Sequence, residues 1–486
     1  MSDLSTILTF AQDATLEWTR GGWANTTMVH PVGLALLIAC VVAMLLVPRR
    51  YAVLPLFVMM CLAARQRVSI ISLDWDFVRI MILVGWARIL IRKETTGFRF
   101  HRLDLVALIW SIAATFGYVM QQASSTALVL RLGATIDTFG AYMFFRVVLR
   151  SWRDIVTTIR GMVLVAIPVA GAFLIEKSTG RNMFSVFGGV PPVTAVREGR
   201  LRCQGAFAHP ILAGSFWAAI LPLFISLWWG MKERVLCVIG VAATMLIVFA
   251  CSSSTPVAAV GIAGIGWSVY FVRAYMTTIR WSILAILVML QLVMQKPVYH
   301  LISRIDLVGG STGWHRYHLF DQFIRRVDEW FLFGTKSTAH WGYGLHDVTN
   351  QYVLEAVRGG IIPLIAFVAM IVIAFRAVGA ALRASKGDRA TTAIAWGIGV
   401  SLLTHSIIFF AVSYFGQIVV LWNLSLALTV AAAAAGAPAT RRARVKAGAP
   451  RRRAGAPRAI GGAVPRPAPT PRPGLRTATR ATERPA

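Results

Sequence analysis

At 486 residues, 57% of them hydrophobic and 14% charged, with 16 Trp and a mean hydropathy of +0.66, the chain cannot close a polar surface around one water-soluble core. Its formal charge of +29 excludes less than it seems to, because residues 441–486 hold 13 Lys+Arg against one Glu, leaving +12 in the tail and +17 elsewhere. With nothing folded beside that charge, no nucleic-acid partner is expected, and the composition predicts an all-α, polytopic integral membrane helix bundle. Of the five cysteines, Cys40, Cys61, Cys237 and Cys251 fall in apolar runs and Cys203 in a loop, which excludes a disulfide framework or a cysteine metal cluster.

Asp3, Asp13 and Glu17 precede the first basic residue, Arg20, the reverse of a cleavable signal peptide. Apolar runs of spanning or near-spanning length follow at 30–47, 51–64, 76–91, 104–121, 126–148, 155–176, 208–229, 234–251, 254–272, 279–295, 360–376, 390–411 and 415–435. About 12–13 spans are therefore expected, the run at 51 being short enough to be tilted or re-entrant. Arg131 and Asp137 lie inside the fifth run, six residues apart and so off one clear helical stripe. Arg131 is near enough to the run's end to snorkel outward, whereas Asp137 is deeper and marks either a functional site or a pairing with an arginine of a neighbouring helix. Glu176, ending the sixth run, reads as interfacial.

Lys and Arg fall in every second connection, among them Arg49, Arg50, Arg92, Lys93, Arg146, Arg150, Lys232, Arg273, Arg383 and Arg389. These should be cytoplasmic, putting the amino terminus outside and the basic tail inside. Residues 65–75, 177–207 and 296–359 then face outward, yet they too carry arginines, as a site for an anionic, diphosphate-bearing lipid headgroup would require. The largest of them, 296–359, also gathers His315, His318, His340, His346, Asp347 and Asn350. Within it the spacing predicts an amphipathic interfacial helix from Trp314 to Phe331, with Ser311 and Thr312 as caps and Phe320, Phe323, Ile324, Val327 and Phe331 on its apolar stripe. His318, Gln322, Arg325, Arg326 and Glu329 take the wet face. Arg316 falls within the stripe, where a lipid diphosphate, or a carboxylate such as Asp306 or Asp137, would have to neutralise it.

Two stretches resemble a known family. Arg202-Cys203-Gln204-Gly205-Ala206-Phe207-Ala208-His209-Pro210, leading into a spanning run, is similar to the R-x-x-G-x-F-x-x-P start of a helix in the O-antigen ligase and polymerase superfamily. In the large loop, Arg304, Arg316, Gly342-Tyr343-Gly344, Thr349-Asn350-Gln351-Tyr352-Val353 and Gly359-Gly360 resemble that family's order of two arginines, Gly-x-Gly, His-Asn-x-Tyr-Leu and a glycine-started helix. The likeness runs from the third helix to the last and departs at Thr349, where the family has histidine. It implies a multi-pass glycosyltransferase of the bacterial inner membrane that moves a glycan from a polyprenyl-diphosphate carrier, on the extracytoplasmic face, to a glycan, lipid or protein acceptor. Other polysaccharide-assembly proteins would be its neighbours, alongside membrane lipid.

Such a transfer needs positive charge on the departing diphosphate and a base for the acceptor hydroxyl. Arg202, Arg304 and Arg316 are expected to meet the diphosphate. Because the outer loops hold no clustered carboxylates besides Asp74-Trp75-Asp76, neither a metal nor another cofactor is expected. Three base candidates lie within eight residues, His340, His346 and Asp347, and the Gly342–Gly344 turn favours His346 and Asp347; the bland alternative is a local hydrogen-bonded pair. Asn350, Tyr352 and His209 are expected on sugar or acceptor hydroxyls, although Asn350 and Tyr352 would equally cap and anchor the next helix.

Residues 1–436 thus form one membrane domain, and 437–486 a disordered, basic, cytoplasmic tail suited to anionic lipid headgroups. A transporter or a non-catalytic component of a polysaccharide export complex remains the alternative; against a transporter stand the missing internal repeat and the long one-sided loop. Cysteine placed at Gly310 should react with a membrane-impermeant thiol reagent in intact cells, and cysteine at Gly448 only after lysis. The reverse pattern would invert the bundle.

Overall fold

A computed structural model describes residue 27 and residues 29–436, apart from 64, 71–72, 231–232 and 305–312. The basic tail, the caps Ser311 and Thr312, Asp306 and Gly310 lie outside the described residues.

Each of the thirteen apolar runs forms helix. In chain order these are α1 (Pro31–Leu46), α2 (Val53–Leu62), α3 (Phe77–Ile91), α4 (Arg102–Gln122), α5 (Ser125–Val148), α6 (Trp152–Thr179), α7 (Pro210–Gly230), α8 (Arg234–Ala250), α9 (Ser254–Ser268) and α10 (Met276–Val293). The loop helices α11 (Gly313–Arg325), α12 (Val327–Trp330) and α13 (Gln351–Gly359) follow, then α14 (Ile361–Ala384), α15 (Arg389–Ile408) and α16 (Gln417–Gly436). Among the described residues, eight segments are long and apolar enough to cross a membrane, with α9 and α10 counting as one 40-residue stretch joined by the 3-10 turn Val269–Tyr275. The chain is a multi-pass membrane protein. At 10 residues, α2 rises only about 15 Å, half a hydrocarbon core, which accounts for its short run.

The all-α expectation needs one amendment. Two small antiparallel hairpins interrupt the helices: β1 (Arg67–Ile70) with β2 (Leu73–Asp76), in register Arg67 with Asp76, and β3 (Val196–Arg197) with β4 (Arg200–Leu201). Local chemistry sets the helix starts: Asp76 caps α3 by accepting from the Arg79 N–H, His101 and Asp104 form a capping box on α4, and Ser124 and Ser151 cap α5 and α6.

The bundle is centred on α7, which packs against α15, α8 and α9, while α14 lies between α16 and α4. Helix α10, by contrast, buries none of its residues. Glu176 corrects the sequence reading. Instead of standing at an interface it is fully buried, accepting from the backbone N–H groups of Gln204 and Gly205 (both 3.0 Å) and from the Thr194 hydroxyl (3.1 Å). A carboxylate with three donors can be buried without a cation, and here it ties the 194–205 loop to the end of α6.

At the ends of the helices away from the large loop, arginines clamp the connections. Arg146 grips Asp104 with two bonds of 2.7 and 3.0 Å, and the Tyr142 hydroxyl donates to the same carboxylate. Arg88, fully buried, pairs with Glu94 at 2.8 Å and donates to the Val47 carbonyl, also at 2.8 Å, while Arg49 lies 3.5 Å from Asp154. Removing one partner of a buried pair strands the other's charge, so Asp104→Ala should lower stability by about 3 kcal/mol, whereas Arg160→Ala at the half-exposed Arg160–Glu233 pair should cost under about 1 kcal/mol. Thermal midpoints in detergent would check the contrast.

Candidate functional site

A cavity of about 510 Å³ opens between the β1–β2 hairpin, α3, α4, α5, α13, α14 and α16. Its lining is amphiphilic. Five arginines (Arg65, Arg67, Arg79, Arg131 and Arg358) and four carboxylates (Asp74, Asp76, Asp137 and Glu355) share it with Leu130, Phe367, Met370, Phe409, Val420 and Trp422.

Arg79, in the first turn of α3, holds the wall in place. It grips Asp137 through Nε–Oδ1 at 3.0 Å and Nη2–Oδ2 at 2.6 Å, and donates to the Asp74 carbonyl at 2.7 Å. Asp137 reaches it because α5 opens into a π turn at Ile136–Gly140, whose Gly140 carbonyl accepts from the Trp86 indole at 3.0 Å. Gly133 leaves the room: a Cβ there would lie 3.0 Å from the Arg79 guanidinium carbon. Arg67 sits 3.6 Å from Asp74. The pairing of Asp137 with an arginine of a neighbouring helix, one of the two sequence readings, is thus realised with Arg79, and Arg316 does not share that carboxylate.

Arg131 does not snorkel outward. It lines the cavity over the Tyr118 ring (5.4 Å to the centroid), and its buried Nε has no hydrogen-bond partner among the described residues. Arg358, at the exposed rim, makes no hydrogen bond or ion pair with a described residue. Both come near Glu355 without reaching ion-pair distance. Glu355 instead accepts from the Trp110 indole (2.9 Å) and from the Gln351 amide (2.7 Å). Burial pushes its carboxyl above the usual carboxylate range, against the pull of those donors and of Arg131 and Arg358.

Helix α13 places this group. Asn350 caps it, accepting from the N–H groups of Tyr352 (2.9 Å) and Val353 (3.2 Å), and Gln351, Glu355 and Arg358 recur at i, i+4 and i+7 toward the cavity. Val353, Leu354 and Val357 pack into a second apolar cluster with Leu319, Phe323, Trp330, Trp341 and Leu345 of the large loop. A Cβ on Gly117 would lie 2.4 Å from the Gly359 carbonyl oxygen, so glycine is what lets α4 approach α13.

The loop helix differs from expectation in extent and facing. It starts at Gly313 and breaks at Arg326, whose backbone leaves the helical region (φ −112°, ψ 39°) before α12 begins. Arg316, Leu319 and Phe323 are buried, as the placement of Arg316 on the apolar side requires, but Ile324, Val327 and Phe331 are exposed. Arg316 donates to the Thr255 hydroxyl (3.0 Å) and the Ala411 carbonyl (3.2 Å), with no carboxylate in ion-pair distance among the described residues; burial lowers its pKa.

The Arg202 Nε is buried without a hydrogen-bond partner among the described residues, and His209, pushed down to about 4 by burial and then by Arg202 and Arg197, accepts from the Ile211 N–H. Gln417, a cavity residue, donates to the Ala206 carbonyl, and Asn350 donates weakly to the Phe410 carbonyl (3.4 Å), so residues 409–417 form a wall shared by the cavity, Arg316 and the 203–207 loop. Tyr352 donates to the Ser406 carbonyl at 2.9 Å. Arg304 ends a 3-10 helix and its side chain lies outside the described part. His346 and Asp347 are exposed, their side chains bonded to no described residue, and the Asp347 carbonyl lies 3.3 Å from His315 Nε2. His340 contacts Glu329 at 2.7 Å. Neither His346, Asp347 nor His340 lines the cavity.

Sequence reasoning missed Arg79, Trp110 and Glu355. Asp76 followed by Arg79 three residues on, and the i, i+4, i+7 run of polar groups in α13, were signals that could have found two of them. Comparison with protein-family models and with curated proteins yields no match to the chain.

Against a desolvation that raises it, donors from Trp341, Arg326 and His340 hold the Glu329 carboxyl down to about 2, from an ordinary 4.5. A depressed acid contributes stability that is present above 4.5 and lost as pH falls through 2. Amide exchange over residues 338–345, corrected for intrinsic rate, should therefore stay slow down to pH 4.5 and quicken toward pH 2, and Glu329→Gln should show the fast exchange at neutral pH.

Proposed function

We propose that the chain transfers a glycan from a polyprenyl-diphosphate carrier to an acceptor hydroxyl, in the manner of the lipid-linked glycan ligases and polymerases that its loop motifs resemble. The observation that carries this reading is the pair Arg131 and Arg358, two guanidiniums in an amphiphilic cavity with no ion pair to a described residue. The guanidinium of Arg131, inside a membrane bundle, is costly unless an anion meets it, Arg358 adds a second at the exposed rim, and the planar fork of each matches phosphate oxygens.

The cavity's dimensions agree with that ligand. About 510 Å³ takes a headgroup and a sugar and excludes a long polyprenyl chain, which would leave over the exposed Leu130 on α5. In this reading Arg131 and Arg358 meet the diphosphate and hold the charge that develops as it departs. Arg316 stands behind the shared 409–417 wall, where it already spends two donors on protein oxygens. The face on which this happens is the large-loop face, extracytoplasmic if the basic connections are cytoplasmic.

Purified protein should be stabilised against heating by a polyprenyl-diphosphate oligosaccharide and should transfer its glycan. Arg131→Ala and Arg358→Ala should each reduce transfer by about a hundredfold or more. Arg131→Lys, which keeps the charge and loses the fork, should be nearly as poor, while Arg325→Ala on the exposed side of α11 should stay within about twofold of wild type. Near-normal transfer in both alanine variants of the cavity would sink the reading.

A further inference from the structure

We infer that Glu355 accepts the proton of the acceptor hydroxyl, an assignment that rests on the transferase reading above. Of the carboxylates lining the cavity, three are committed to arginine: Asp74 to Arg67, Asp137 to Arg79, and Asp76 to the backbone N–H and, at 3.8 Å, the guanidinium of Arg79. Glu355 alone is held by neutral donors.

The hydrogen-bond pattern fixes which way those donors point. An indole N–H has no acceptor capacity, so Trp110 must donate to Oε2. Gln351 takes the Tyr414 N–H on its own carbonyl oxygen at 2.7 Å, which turns its NH₂ toward Oε1 of Glu355. Each carboxylate oxygen thus has one donor in place and lone-pair capacity left for an incoming proton. Neutral donors orient the carboxylate without cancelling its charge, so it remains a better base than an ion-paired neighbour, and burial favours its protonated form further. Its helix, capped by Asn350 and seated on the loop cluster, gives the group a rigid mount.

The step balances without any further reagent. The acceptor oxygen bonds to the anomeric carbon, the bond from that carbon to the diphosphate oxygen breaks, and the electron pair leaves with the diphosphate. The hydroxyl proton passes to Glu355, so the negative charge lost at its carboxylate reappears on the diphosphate beside Arg131 and Arg358. His346 and Asp347, the bases expected from sequence, lie on the exposed loop outside this cavity.

The test is transfer from a polyprenyl-diphosphate oligosaccharide by the full chain, with donor binding followed separately by thermal shift. Glu355→Gln keeps the side-chain shape, and should lower kcat by about a hundredfold or more while donor binding stays within about twofold. Should that variant fail to fold, Glu355→Asp withdraws the carboxylate by about 1.5 Å and should lower kcat at least about tenfold with KM for the donor unchanged. Glu355→Gln above about a tenth of wild-type kcat, or Glu355→Asp at the full rate, overturns the assignment and leaves the transferase reading standing. Wild-type protein that neither binds nor turns over the donor overturns both.

Discussion

The bidentate pair between Arg79 and Asp137 places two opposite charges inside a helix bundle, and most of the cavity's architecture follows from accommodating it. Each ion loses several kcal/mol of hydration on burial, which two short, parallel hydrogen bonds and the extra Asp74 carbonyl offset. To bring Asp137 into reach α5 gives up regular helix for a π turn, and to make room for the guanidinium it carries glycine at position 133. The same arginine also binds residues of the β1–β2 hairpin, so hairpin, α3 and α5 make one stiff wall. Helix α13 forms the facing wall, with its polar row toward the cavity and its apolar row toward the loop cluster.

Arginine does two different jobs at the two ends of this bundle. Away from the large loop, Arg88 and Arg146 find carboxylates and carbonyls within the protein, so their charge is spent on closing connections. In the cavity, Arg131 and Arg358 find none at bonding distance among the described residues. That difference, and not the number of arginines, is what points to an external anion. It also tempers the orientation argument: Arg49 and Arg146, two of the basic residues used to assign the cytoplasmic face, are structural clamps as well.

The helices were legible because an apolar run in a membrane must be helical to satisfy its own backbone, and all thirteen runs are. Depth inside the bundle was harder to read. Glu176 looked interfacial because its partners are backbone amides contributed by residues 204 and 205, which no spacing rule finds. Arg131 and Asp137 were singled out as charges within a span, yet the destination of Asp137 depended on a π turn that a 100° helical wheel does not contain. Arg316 was correctly placed on the buried side of its helix, although the stripe was extrapolated past the break at Arg326. Glu355 escaped notice because a glutamate in the polar row of a short amphipathic helix resembles an ordinary surface residue until Trp110, distant in sequence, closes over it.

A map of the protein in lipid nanodiscs with a polyprenyl-diphosphate oligosaccharide bound would test the central claim most directly. The account predicts phosphate density within about 3.5 Å of the guanidiniums of Arg131 and Arg358, with the sugar toward Glu355. Diphosphate density beside Arg202 or Arg316, with only acyl chain in the cavity, would contradict it.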